Sequence, residues 1–272
     1  SLVVSIPWHE VTIFRRYLQV HSHIALLHMI LHVVYTPDNV PLDLCDQDIA
    51  IVIDVLRAGT TICAMLSQGA GDIVIASSVD HALDLRKDSA HAASLVAGEQ
   101  GGLPPEGFDL GNSPLRIGEE VRGKRVIFAT TNGTRMMGAT AKAHHQLIGG
   151  FVNMSACVNA VIERATNDTS LKRLVLCCSG SGGRFSLEDT FFAGSFLARY
   201  IATGFGHDLT NAAEAALCIE SSYNSSLQLV PRASAHAHVL TALGFHADVE
   251  ACLQVDSLPV VPVCRDMIVR RL

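Results

Sequence analysis

Ile49-Ala-Ile-Val-Ile-Asp-Val55, running into Leu56-Arg-Ala-Gly-Thr-Thr-Ile-Cys-Ala-Met-Leu66, decides the fold class. Residues 49–53 are apolar without alternation, the signature of a strand buried on both faces. Thr60 to Leu66 is helical in period and is closed by Gly69. A buried strand that turns at once into a helix is the first half of a parallel crossover. The same unit recurs along the chain. Strands are expected at 72–76, 95–97, 125–129, 147–149 and 171–178. Helices are expected at 79–87, 134–143, 155–165, 187–202, 210–226 and 232–243. Residues 98–118 read as a long loop, with five glycines before Arg116 and three prolines. The tail near 251–271 reads as a strand or an arm. This alternation predicts an α/β protein, three-layer α/β/α, with a mostly parallel or mixed sheet and room for two similar lobes. The polar stretch Thr166–Ser170 is the cleanest boundary between such lobes.

Composition narrows the function. A chain of 272 residues can bury a large core without staples, and 49% hydrophobic with 17% charged residues excludes disorder. The net charge of −6 offers no footprint for nucleic acid or an anionic membrane. Any anion must therefore be held by a local site. The eight cysteines form no CxxC pair and no zinc-finger spacing. They read as small hydrophobes in a reduced compartment. No run reaches the ~18 apolar residues of a membrane span; the nearest, Ile24 to Tyr35, is broken by His28 and His32. Residues 1–28 contain Arg15, Arg16 and a single acid, Glu10. They read as an N-terminal extension, either the end of a transit segment or an ordinary helix. The compartment is then the cytosol by default, or an organelle if a transit segment is present.

In open α/β sheets ligands bind beyond the carboxyl ends of the strands, so the turns after the strands are where chemistry should collect. They carry Asp54, Arg57 and Thr60; Glu99 to Gly102; Glu106 to Pro114, with Asp109 and Asn112; Thr130-Thr-Asn-Gly-Thr134; and Ser179-Gly-Ser-Gly-Gly-Arg-Phe-Ser-Leu-Glu-Asp189. Glycine-rich turns before helices can cradle a phosphate through backbone N–H groups. Arg57 and Arg184 can fork onto its oxygens. Asp54, Glu99, Asp109, Glu188 and Asp189 are hard oxygen ligands suited to Mg²⁺, which takes one or two carboxylates plus substrate phosphate. Together they favour phosphoryl transfer to water.

Taken singly, each signal has a plainer explanation. An Asp at a strand end is more often a helix cap, Asn132-Gly133 is a common turn dipeptide, and Glu188 and Asp189 complement a helix dipole. Their co-location is what raises the functional reading. A rival is Cys178 followed five residues later by Arg184, the spacing of cysteine-dependent phosphatases. A second rival is a non-catalytic anion-binding or regulatory module.

Five of these stretches, in order, resemble the 2-phosphosulfolactate phosphatases (the ComB family): Val52-Ile-Asp-Val-Leu-Arg-Ala58, Gly98-Glu-Gln-Gly-Gly102, Glu106-Gly-Phe-Asp-Leu-Gly-Asn-Ser-Pro114, Thr130-Thr-Asn-Gly-Thr134 and Gly183-Arg-Phe-Ser-Leu-Glu-Asp189. The likeness runs from about Met29 to near the C-terminus, and residues 29–272 are taken as the family-like domain. Residues 1–28 have no counterpart, and Gly59 stands where the family has Ala or Thr. The resemblance implies a three-layer α/β fold and a Mg²⁺-dependent hydrolysis of (R)-2-phospho-3-sulfolactate to 3-sulfolactate and phosphate, a step toward coenzyme M. It implies a small phosphorylated sulfonate or carboxylate as substrate and a homo-oligomer, a dimer being favoured. On these readings Asp54, Arg57, Glu99, Asp109 and Arg184 are the catalytic candidates. Asp54, Glu99, Asp109, Glu188 and Asp189 are the metal candidates. Asn112, Thr130, Thr131, Asn132, Gly133, Thr134, Ser179, Gly180 and Ser186 are the substrate-binding candidates.

Overall fold

A computed structural model describes residues 28–223 and 226–272. The expectations for the extension 1–28 therefore lie outside the described residues, apart from His28, which opens the first strand.

The chain alternates as the pattern requires. β1 (His28–Val34) and β2 (Asp48–Ile53) precede α1 (Ala58–Ser67), β3 (Ile73–Ile75) and α2 (Val79–Lys87). Then come β4 (Leu95–Gly98), β5 (Val126–Ala129), α3 (Gly133–Ala139), β6 (His145–Gly149), α4 (Met154–Asn167) and β7 (Arg173–Cys178). The last part holds α5 (Leu187–Ala202), β8 (Gly206–Leu209), α6 (Asn211–Ser222), α7 (Val230–Ala233), α8 (Ala235–Ala242), α9 (His246–Cys252), β9 (Pro262–Arg265) and β10 (Ile268–Arg271). None of the described helices is long and apolar enough to cross a membrane.

β2 is buried along its whole length, because its two faces feed two different cores. Ile49, Ile51 and Ile53 pack with Phe191, Phe192, Phe196 and Tyr200 of α5. Ala50 and Val52 pack with Ile62 and Met65 of α1 and Met136 of α3. Period-two alternation across a sheet covered on both sides makes three layers.

The ten described strands hydrogen-bond in the order β4-β5-β3-β10-β9-β6-β2-β7-β1-β8. β4, β5 and β3 are mutually parallel, as are β6, β2, β7, β1 and β8. The hairpin β9–β10 joins the two groups through antiparallel pairings, so the groups run in opposite senses. Strand twist of about 20–25° per step, accumulated over the five steps from β5 to β2, swings the carboxyl ends of β4 and β5 toward that of β2. Thr166–Ser170 joins α4 to β7, and β7 lies within this same sheet between β2 and β1.

The sequence pattern missed β1, β8 and α9. In β1 the apolar run is interrupted by His32, whose ring reaches Thr210 at 3.0 Å instead of breaking the strand. β8 is a four-residue edge strand with few apolar positions. The tail hairpin turns through Asp266 and Met267, both at positive φ, so the usual Asn-Gly or Asp-Gly signal is missing.

Candidate active site

Three turns meet around Asp54. Its Oδ1 accepts the Ala58 N–H at 3.2 Å, and its backbone carbonyl accepts the Gly59 N–H at 2.9 Å. Both bonds start α1. A Cβ added at Gly133 would lie 2.8 Å from Asp54 Oδ2 and 3.2 Å from Ala58 Cβ. Only glycine lets the turn after β5 approach so closely. Glu99 fastens that turn to the loop after β4: one carboxylate oxygen accepts the Gly102 N–H and the other the Thr131 N–H, each at 2.7 Å. Asn132 Oδ1 accepts the Gly182 N–H at 3.0 Å, which brings in the turn after β7. Asp189, in the first turn of α5, accepts Val55 N–H at 3.0 Å and Gly180 N–H at 3.1 Å. It is a strut between β2 and β7.

These turns enclose a cavity of about 270 Å³, lined among others by Asp54, Arg57, Glu99, Asn112, Thr131 and Asn132 from the expected set, and by Ser181, Gly182 and His236. Burial pushes the Asp54 carboxyl up to about 7, opposed by the Ala58 N–H and reinforced by the charges of Glu99 and Glu188. Burial, then the charge of Glu188, holds Asp189 well above the usual carboxylate range. The local field is therefore negative. Arg57 does not relieve it. Its Nη1 donates to Asp248 at 2.7 Å, its Nη2 donates to the Gly102 carbonyl at 2.7 Å, and its guanidinium sits 4.1 Å above the Phe245 ring.

Several expected residues lie elsewhere. Asp109 is outside the cavity lining: it binds Arg86 through two bonds of 3.0 and 3.2 Å and accepts the Val96 N–H at 2.8 Å. It pins the long loop to α2 and β4. Arg184 is exposed and also absent from the lining; its backbone closes the turn onto Ser181. Glu188 is buried, and its carboxylate accepts the Ser234 hydroxyl at 2.7 Å. Ser186 caps α5 through the Asp189 N–H. Thr134 donates to the Thr130 carbonyl, and Thr130, Gly133, Thr134, Ser179 and Gly180 stand behind the lining. The turn N–H groups are also less free than expected: those of Thr131, Gly180, Ser181 and Gly182 already have protein acceptors.

The cysteine rival does not fit. Cys178 is fully excluded from water, and burial, followed by the charge of Asp189, pushes its thiol well above its ordinary range. No thiolate is available beside the cavity.

A magnesium ion does fit. Among the described residues no three His, Cys, Asp or Glu side chains form a ready cage, but Mg²⁺ characteristically uses one or two carboxylates and keeps positions for water and phosphate. Asn112, 5% exposed, presents Oδ1 without any hydrogen-bond partner. An orphaned buried acceptor in a cavity that also holds Asp54 and Glu99 is a hard-oxygen donor set with surplus negative charge.

Sequence reasoning missed His236 and Asp248. Both lie in the C-terminal helices rather than at a strand end, and no spacing marks them.

The family model described as 2-phosphosulpholactate phosphatase matches residues 34–267. A protein of Caldanaerobacter subterraneus subsp. tengcongensis named "Probable 2-phosphosulfolactate phosphatase" is 35% identical over 230 residues, 84% of this chain and 92% of that one. Proteins of the same name from Thermotoga maritima and Thermus thermophilus are 35% and 36% identical, covering 78% and 80% of this chain and 87% and 88% of their own.

Proposed function

The chain belongs to the 2-phosphosulfolactate phosphatase family, and from that premise we propose that it is a Mg²⁺-dependent phosphatase. Its substrate is (R)-2-phospho-3-sulfolactate or a closely similar small phosphorylated acid, cleaved to the hydroxy acid and phosphate. The observation that carries this reading is one cavity lined by Asp54, Glu99 and Asn112, in which the buried Asn112 Oδ1 has no hydrogen-bond partner.

Glu99 and the Asn112 carbonyl oxygen would hold the ion. When bound, Mg²⁺ neutralises phosphoryl oxygens as a Lewis acid. The chain's own groups do the rest. Both Glu99 oxygens accept backbone N–H groups, which fixes the carboxylate in place at the cavity wall. Asp54, part of the cavity lining, takes a proton from the attacking water as general base. The hydroxyls of Thr131 and Ser181 and the amides of Asn112 and Asn132 offer neutral donors to the carboxylate and sulfonate ends. Leu56, Val239 and Leu240 also line the cavity and limit its water, which strengthens every polar contact within.

A screen of phosphorylated two- to four-carbon acids for phosphate release in Mg²⁺ tests the proposal. Release from 2-phosphosulfolactate above all others supports it; release from none contradicts it.

A further inference from the structure

We propose that His236 is the catalytic acid that protonates the leaving oxygen of the substrate; this rests on the phosphatase reading above. The ester oxygen of a secondary alkyl phosphate departs as a strongly basic alkoxide, so a positioned proton donor is worth about 10²–10⁴-fold.

Three side chains of the cavity lining, Asp54, Glu99 and His236, carry groups of the kind that serve as acids or bases in catalysis. Glu99 is committed as an acceptor on both oxygens. Asp54 is the group that takes the proton of the attacking water and cannot also donate one to the leaving group. His236 remains. It is the second residue of α8, a helix capped by Ser234, whose hydroxyl accepts the Ala237 N–H and donates to Glu188. Its Nε2 lies 3.1 Å from the Leu56 carbonyl oxygen. A carbonyl only accepts, so Nε2 carries a hydrogen and the tautomer is set. Nδ1 has no protein partner among the described residues and is the nitrogen left to serve the substrate. Leu56 is two residues beyond Asp54, so this bond anchors the ring to the same turn that carries the base.

The step balances. The ester phosphorus–oxygen bond breaks, and its electron pair goes to the ester oxygen, which takes the Nδ1 proton of the imidazolium and leaves as the hydroxy acid. The oxygen of water forms the new bond to phosphorus and loses a proton to Asp54. Solvent reprotonates His236 and deprotonates Asp54.

Two three-carbon acids separate this role from a structural one: 2-phospholactate, with an alkoxide leaving group, and phosphoenolpyruvate, with a far less basic enolate. We expect His236→Asn to lower kcat/KM at least about 100-fold for 2-phospholactate and less than about 10-fold for phosphoenolpyruvate. His236→Gln, which can keep a donor to Leu56, should show the same split and guards against misfolding of the first variant. Equal losses on both acids, or no loss on either, would overturn the assignment. Wild-type protein that releases phosphate from no phosphorylated acid, 2-phosphosulfolactate included, overturns the phosphatase reading itself, and the role of His236 with it.

Discussion

Arg57 Nη1 and Asp248 Oδ2 lie 2.7 Å apart with both side chains almost fully withdrawn from water. The pair ties the turn after β2 to α9, and Ser113 adds a hydroxyl to the other Asp248 oxygen at 2.8 Å. Arg57 therefore supplies no net charge to a phosphate. It builds the cavity wall. Removing one member of a buried pair strands the other, at a cost of about 3–5 kcal/mol. Asp248→Ala should lose stability of that order in urea unfolding at pH 7.5. A loss under about 1 kcal/mol would mean that Arg57 finds another partner.

Asp54 makes stability fall with rising pH. Its folded carboxyl is raised to about 7 from 3.8, so the native state binds the proton more tightly than the unfolded chain does. The stability associated with that proton is full below the unfolded value of 3.8 and is lost as pH rises through about 7. Asp54→Asn removes the charge and should stabilise the cation-free protein at pH 8 on the order of a few kcal/mol, while abolishing turnover. Parallel melting curves of the two proteins at pH 5 and pH 8 read this directly: the gap should be modest at pH 5, where the unfolded carboxyl is already ionised, and clearly wider at pH 8.

Gly133 is predicted to tolerate no side chain. A methyl group there meets Asp54 Oδ2 at 2.8 Å and must push either the carboxylate or the turn. Gly133→Ala should lower kcat/KM more than about 10-fold, since a displacement near 1 Å at a reacting group costs up to about 100-fold. Unchanged kinetics would show that the turn yields freely.

Asp109 is predicted to be a staple. Asp109→Asn should leave kcat/KM within about threefold and cost about 1 kcal/mol of stability, because the Arg86 pair is partly exposed and the Val96 N–H keeps an acceptor. A hundredfold loss of turnover would return Asp109 to the reaction.

How far the sequence could be read follows from what each residue answers to. The β2–α1 unit is legible because its apolar run and helical period are local properties, and α2 and α5 begin and end at the expected residues. The turn acids were legible as a group, since strand polarity places them, and Asp54 and Glu99 reach the cavity. Their division of labour was not. Whether an acid faces a cavity or a backbone N–H depends on contacts such as Asp189 with Val55, 134 residues apart. Arg57 looked like a phosphate clamp because nothing nearby in sequence announces Asp248, 191 residues on. His236 was invisible for the same reason.

We read the site as that of a cation-dependent phosphatase built around Asp54. Its most direct test is the release of inorganic phosphate from (R)-2-phospho-3-sulfolactate, measured with Mg²⁺, with EDTA, and with EDTA followed by excess Mg²⁺. Turnover is expected in the first and third conditions and none in the second. Full turnover in chelator would contradict that reading.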